Sequence, residues 1–119
     1  MVSFETLREM VLALPDTVET TSWDARSFKV NGKVILFWNP AHDCPVFKVP
    51  VEERDFLIEA DPETFFTTDH HRPWPLVLAR PERVDAGWAR ANILRVWRAQ
   101  VARRTLKAYD AARAGSADG

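Results

Sequence analysis

The sequence predicts a single compact α+β domain in which N- and C-terminal helices cover one face of an antiparallel sheet. Amphipathic helical periodicity marks both ends of the chain, and β-rich runs separated by turn residues fill the middle. Hairpin connections make a sheet antiparallel, and amphipathic helices bury their apolar faces against one side of it. We place the domain at residues 1–112 and a frayed tail at 113–119.

The first predicted helix spans residues 3–14. Ser3 is a suitable N-cap, and the residue before Pro15 is biased away from helix, so the helix should end there. One face of this helix is apolar and should pack on the sheet: Phe4, Leu7, Met10, Val11 and Leu14.

A polar connection then leads to a predicted β-hairpin, "RSFKV-NG-KVILFW". Asn31-Gly32 can adopt the two positive φ angles of a tight type I′ turn between the strands. "CPVFKV" (44–49) predicts a third strand, and "VEERDFLIEA" (51–60) predicts a short helix whose Phe56, Leu57 and Ala60 pack inward together.

The segment "FFTTDHHRPWPLVLA" (65–79) predicts a strand, a proline-stiffened connection and a second strand. The last helix is predicted over 86–107 with Asp85 as its N-cap. Its apolar stripe is expected to face the sheet, with Arg95 and Arg98 pointing away; the stripe consists of Ala89, Ile93, Val96, Trp97 and Val101.

Composition excludes several classes of protein. With 46% apolar and 28% charged residues and a net charge of −1, the chain is neither disordered nor membrane-spanning. The lone cysteine, Cys44, cannot form an intrachain disulfide, and the N-terminus lacks the basic and apolar regions of a signal peptide. We expect a cytoplasmic monomer that does not enter a membrane.

The charge is unevenly distributed along the chain. Residues 85–107 contain six basic side chains and one acidic side chain, that of Asp85. The C-terminal helical region could therefore present a basic face to an anionic partner.

Three segments, "LALPDTVETTSWDARSFKVNGKV", "EADPETFFTTDHHRPWPLVLARPERVD" and "VWRAQVARRTLKAYDAA", together resemble the MmcQ/YjbR-like family. The resemblance covers nearly the whole chain and implies a frataxin/CyaY-like α+β fold. It also implies DNA binding through paired loops on the sheet, and it brings no catalytic motif. The chain departs from the family's usual loop at "HRPW" (71–74).

Nucleic-acid binding is the first functional hypothesis. Lysine and arginine neutralise phosphates, and an exposed tryptophan can stack on a base. The candidate residues lie on the predicted hairpins and the last helix: Lys29, Lys33, Lys48, Arg72, Trp74, Arg95 and Arg98. Against it, a net charge of −1 is unlike most DNA-binding domains, and lysines beside a hairpin turn often only protect a sheet edge.

The alternative is a module that binds a small molecule or a protein partner in an aromatic cleft near Trp74. Clustered exposed aromatic residues would mark such a cleft. Its candidate residues are Trp23, Trp38, His70, His71 and Trp74. Trp38 also has a structural interpretation, since it can fill the core together with Phe28, Phe37 and Phe47.

Catalytic and metal chemistry have little support in the sequence. Cys44 would need a nearby base and a lowered thiol pKa, and lone cysteines are usually small buried hydrophobic residues. Adjacent residues of an extended segment point to opposite faces, so His70 and His71 would not readily share a metal ion. We expect no enzymatic activity, no cofactor and no metal.

Overall fold

The computed structural model describes residues 1–22 and 25–117. The helices are α1 (Phe4–Leu12), α2 (Val51–Ala60), α3 (Ala86–Gln100) and α4 (Arg103–Ala117). The strands are β1 (Thr17–Ser22), β2 (Ala25–Val30), β3 (Lys33–Asn39), β4 (Cys44–Lys48), β5 (Phe65–Phe66) and β6 (Leu76–Ala79). They form one antiparallel sheet in the order β1-β2-β3-β4-β6-β5. The predicted α+β class is confirmed.

The β2–β3 hairpin has the predicted turn. Asn31 and Gly32 have φ angles of 53° and 78°, the two left-handed positions that a type I′ turn requires. A register shift after Phe28 leaves Ile35 as an extra residue in β3. This β-bulge lets the consecutive residues Ile35 and Leu36 both be buried.

The main core lies between the sheet and the helices. Phe28, Phe47 and Val77 are fully buried there, together with Trp97 of α3. The Trp97 indole also donates to the Pro15 carbonyl at 2.9 Å, which joins α3 to the segment after α1. Side chains alternate between the faces of a strand, so neighbouring residues such as Val46 and Leu78 lie on the opposite face, in a smaller cluster with Cys44.

Three sequence-based assignments differ from the structure. The supposed polar connection after Pro15 is strand β1, which pairs with β2 along its whole length from Thr17 to Ser22. Its threonines favour strand, but an edge position leaves its hydrophobic alternation weak.

The predicted helix 86–107 is two helices, because Val101 adopts an extended conformation after α3. The carbonyl of Gln100 there accepts from Asn31 Nδ2 at 3.2 Å, a tertiary bond in place of a helical one.

The inward face of α2 was also predicted wrongly. Phe56 is 67% exposed and Ala60 is exposed, whereas Arg54 is only 5% exposed. The helix is rotated so that Arg54, Leu57 and Ile58 face the body of the domain. At the other end of the chain, α4 continues to Ala117, into the segment where the sequence predicts a frayed tail from residue 113.

Candidate functional site

A cleft of about 620 Å³ lies on the face of the sheet opposite the main helical layer. Strands β2 and β3 form its floor, and the connection between β5 and β6 forms one wall. Floor residues include Ser27, Lys29, Val34, Phe37 and Asn39, and the wall carries His70, His71 and Trp74. The volume is within the range of small-molecule sites, roughly 300–1,000 Å³.

The floor is fixed by strand register. Ser27 pairs with Phe37, and Lys29 pairs with Val34, so each pair sits side by side on the cleft face. Ser27 is 3% exposed, and its Oγ has no hydrogen-bond partner. A buried hydroxyl without a partner is uncommon and energetically unfavourable, so this atom needs a structural or functional explanation.

His71 closes one end of the cleft in a defined protonation state. The His42 backbone N–H donates to Asn39 Oδ1 at 2.9 Å, which leaves the Asn39 amide nitrogen facing His71 Nε2 at 3.5 Å. Nε2 must therefore accept, and Nδ1–H donates to Thr68 Oγ1 at 2.6 Å. Burial, followed by the neighbouring His70 and His42, lowers the pKa of His71 below its usual 6.5. The imidazole is thus neutral near pH 7.

Trp74 is 58% exposed at the cleft wall, and its backbone is held firmly. The buried Arg54 guanidinium donates to the carbonyls of Arg72 and Trp74 at 2.8 and 3.1 Å. The Trp74 N–H donates to the His71 carbonyl at 3.0 Å. This exposed ring lies in the same cleft as Phe37, His70 and His71, and aromatic side chains are common in the lining of small-molecule sites.

Aromatic surface extends from the wall onto the floor. The Phe37 ring lies roughly parallel to His71, with centroids 6.5 Å apart. Phe37 packs against the neighbouring cluster of Cys44, Val46 and Leu78 on the same face of the sheet. The cleft therefore combines an apolar body with a few polar groups at its ends, as small-molecule sites do.

The residues predicted to contact nucleic acid do not form one surface. Lys29 and Trp74 line the cleft. Arg72 is exposed on the β5–β6 connection that carries Trp74, and its guanidinium lies 3.8 Å from the Asp69 carboxylate. Lys33 is exposed beside the hairpin turn. Lys48 donates to Gln100 Oε1 at 2.7 Å, and burial, with a smaller effect of Lys33, lowers its pKa.

Two of the three arginines of α3, Arg95 and Arg98, lie in the helical layer and are engaged by acids. Arg95 pairs with Glu53 at 3.2 Å, and Arg98 pairs with Asp110 at 2.8 Å. Arg98 also lines a separate groove of about 610 Å³ between α1, α3 and α4. That groove is bridged by the Arg98–Asp110 pair.

The structure separates the residues predicted to form an aromatic cleft. His70, His71 and Trp74 line it together. Trp38 lies on the opposite face of the sheet, where its ring meets Phe4 edge-on at 5.7 Å. Trp23 lies outside the described residues.

Sequence reasoning did not single out Ser27, Asn39 and Arg54. The predicted hairpin does place Ser27 and Lys29 on one face, since they are two residues apart in a strand. That signal could have identified Ser27 as a partner of Lys29. Nothing local marks Arg54, whose role depends on contacts 18 and 20 residues away.

Other reactive groups show no assembled chemistry. Cys44 is buried, and burial raises the pKa of its thiol to about 11, so it stays protonated. Within residues 1–22 and 25–117, no group of three or more His, Cys, Asp or Glu side chains could hold a metal ion. None of the helices in these ranges has the length and apolar character needed to cross a membrane.

This geometry defines the class of protein: an α+β domain that has a helical layer on one face of its sheet and a cleft on the other. The YjbR family model matches residues 12–99, and the chain belongs to that family. No curated protein matches the sequence. The fold is similar to the crystal structure of Deinococcus radiodurans protein DR2400, described by the family-model domain DUF419. The similarity has a TM-score of 0.71 at 20% identity and covers 82% of this chain and 78% of that one.

Proposed function

We propose that this YjbR-family protein is a non-catalytic binding protein that holds a small planar molecule in the cleft. The observation that carries the proposal is the Trp74 ring, exposed at the wall of a 620 Å³ cleft while Arg54 anchors its backbone. A preorganised aromatic surface loses little conformational entropy on binding, so it favours a flat ligand.

The neutral aromatic probe naphthol tests this proposal. In a titration followed by backbone and indole N–H chemical shifts, we expect saturable changes at Ser27, Phe37 and Trp74. The variant Trp74→Ala should weaken binding by about tenfold, the effect of losing roughly 1.4 kcal/mol of aromatic contact.

Phe56→Ala is the matched control, because Phe56 is at least as exposed as Trp74 but does not line the cleft. It should leave the affinity unchanged. Saturation without shifts at the cleft, or equal effects of the two variants, would contradict the proposal.

Nucleic-acid binding is a second candidate function. One observation favours it: Trp74 and Lys29 line the same cleft, and single strands are bound by an aromatic platform beside a cation. The platform would stack one base while Lys29 contacted a phosphate. Binding of a single-stranded oligonucleotide that is weakened by salt and lost in Trp74→Ala would support it.

A further inference from the structure

Among the described residues that line the cleft, the formal charge is of one sign. Lys29 extends from the floor of β2, and none of the described residues that line the cleft carries a carboxylate. His71 contributes no charge near neutral pH, because its burial lowers the pKa of the imidazole below 6.5. A cationic group in a cleft without a fixed counter-ion attracts a negatively charged ligand.

Ser27 supplies a second, independent observation. Its Oγ is buried and lacks a hydrogen-bond partner, although the residue lines the cleft. It lies two residues from Lys29 on the same strand, so both side chains emerge on one face. A ligand oxygen at this place would give the hydroxyl the acceptor that the free protein does not provide.

The remaining floor fits a flat apolar body. Val34 lies beside Lys29, and Phe37 lies beside Ser27, so apolar side chains continue next to the polar pair. From the pair Lys29–Val34 to Asn39, the floor extends over about four to five strand residues, or roughly 13–17 Å. That length accommodates one or two fused rings and one polar substituent.

We propose that the cleft selects small planar aromatic carboxylates, with the carboxylate at Lys29 and Ser27 and the ring between Trp74 and Phe37. This inference rests on the proposed binding function and specifies its ligand class. Lys29 donates a charge-assisted hydrogen bond to one oxygen, and the Ser27 hydroxyl donates to the other.

Three probes that share one ring system test the selection: naphthoate, naphthol and naphthylmethylammonium. Near neutral pH and at low salt, we expect naphthoate to bind about tenfold more tightly than naphthol, and the ammonium most weakly. Lys29→Gln should abolish the preference for naphthoate over naphthol. Ser27→Ala should reduce it while leaving the protein folded, since the hydroxyl has no partner to lose.

Lys33→Gln is the matched control. It removes the same charge from the same hairpin, but Lys33 does not line the cleft. It should leave the preference for naphthoate intact.

The outcomes separate the two proposals. If naphthol and naphthoate bind the cleft equally and Lys29→Gln changes neither, the carboxylate inference is overturned while the binding function stands. If no probe shifts the cleft resonances, the binding function itself fails. If Lys33→Gln acts like Lys29→Gln, the preference reflects net charge and the inference is also overturned.

Discussion

His71 shows how a single buried side chain can link the sheet to the cleft wall. It is 6% exposed, it bonds to Thr68 on its own connection, and it faces Asn39 on β3. Both contacts use the neutral imidazole, with Nδ1 as donor and Nε2 as acceptor. Protonation would convert Nε2 into a donor facing another donor, so charging the ring is unfavourable in the folded protein.

The first prediction concerns pH. The pKa of His71 is lowered in the folded state, chiefly by burial, so the unfolded chain binds this proton more readily. Its contribution to stability is therefore complete above about pH 6.5, the unfolded pKa, and is lost as pH falls through the lower folded pKa. Urea unfolding of the wild-type protein and His71→Gln should show a smaller loss of stability in the variant between neutral and mildly acidic pH.

His70→Gln provides the comparison, since it removes an exposed imidazole from the same connection. It should retain most of the pH dependence, because burial of His71 outweighs the charge of His70 among the causes of the shift. Identical pH profiles for the wild-type protein and His71→Gln would show that His71 does not titrate as the structure indicates.

At the scale of elements, α2 acts as a support for the cleft wall. Its Arg54 is buried in the body of the domain and binds two carbonyls of the connection between β5 and β6. The Asp55 carboxylate accepts from Arg54 Nε at 3.0 Å, but this carboxylate is largely exposed and therefore contributes little. The two carbonyl bonds are what position Trp74.

Arg54→Met should consequently destabilise the domain by about 2–3 kcal/mol, the effect of removing a charged donor from two carbonyl acceptors. Urea unfolding measures this change, and hydrogen exchange should accelerate at the amides of His71 and Trp74. Arg83→Met is the control: Arg83 pairs with Glu63 on the surface, so its removal should change stability by less than about 1 kcal/mol. Similar losses in both variants would contradict a supporting role for Arg54.

The elements differ in how well the sequence predicts them. Local signals were sufficient for α1 and for the β2–β3 hairpin, because Ser3 and Asn31-Gly32 act on their immediate neighbours. The end of α3 at Gln100 depends on Asn31, which is 69 residues away. The rotation of α2 depends on the carbonyls of the connection. Such long-range contacts override the apolar pattern that predicted Phe56 inside.

The same distinction applies to the site. The sequence identified His70, His71 and Trp74 as one cluster, and they do line one cleft. The sequence could not show whether Trp38 lies on the same face of the sheet as this cluster. Alternation along a strand assigns residues to two faces, but it does not tell which face the helices cover. The one-residue bulge at Ile35 changes this alternation again within β3.

At the scale of the whole molecule, the two faces of the sheet have different roles. One face is sealed by α1 and α3 around Trp97, and the other carries the cleft. Two basic residues of the C-terminal region, Arg95 and Arg98, lie on the sealed side and pair with acids. An anionic ligand in the cleft therefore meets Lys29, without help from Arg95 or Arg98.

This separation predicts a shallow salt dependence for any nucleic-acid binding. If a single strand contacts only Lys29 and Arg72, the slope of log affinity against log salt should be about −1.4. A strip of six cations would instead give a slope of about −4. Fluorescence anisotropy with a labelled single strand, measured over a series of salt concentrations, distinguishes the two cases.

Arg95→Gln and Arg98→Gln should leave the slope unchanged, whereas Lys29→Gln should reduce it. A steep slope that falls in all three variants would mean that both faces bind the strand, and nucleic-acid binding would then replace the small-molecule cleft as the better-supported function.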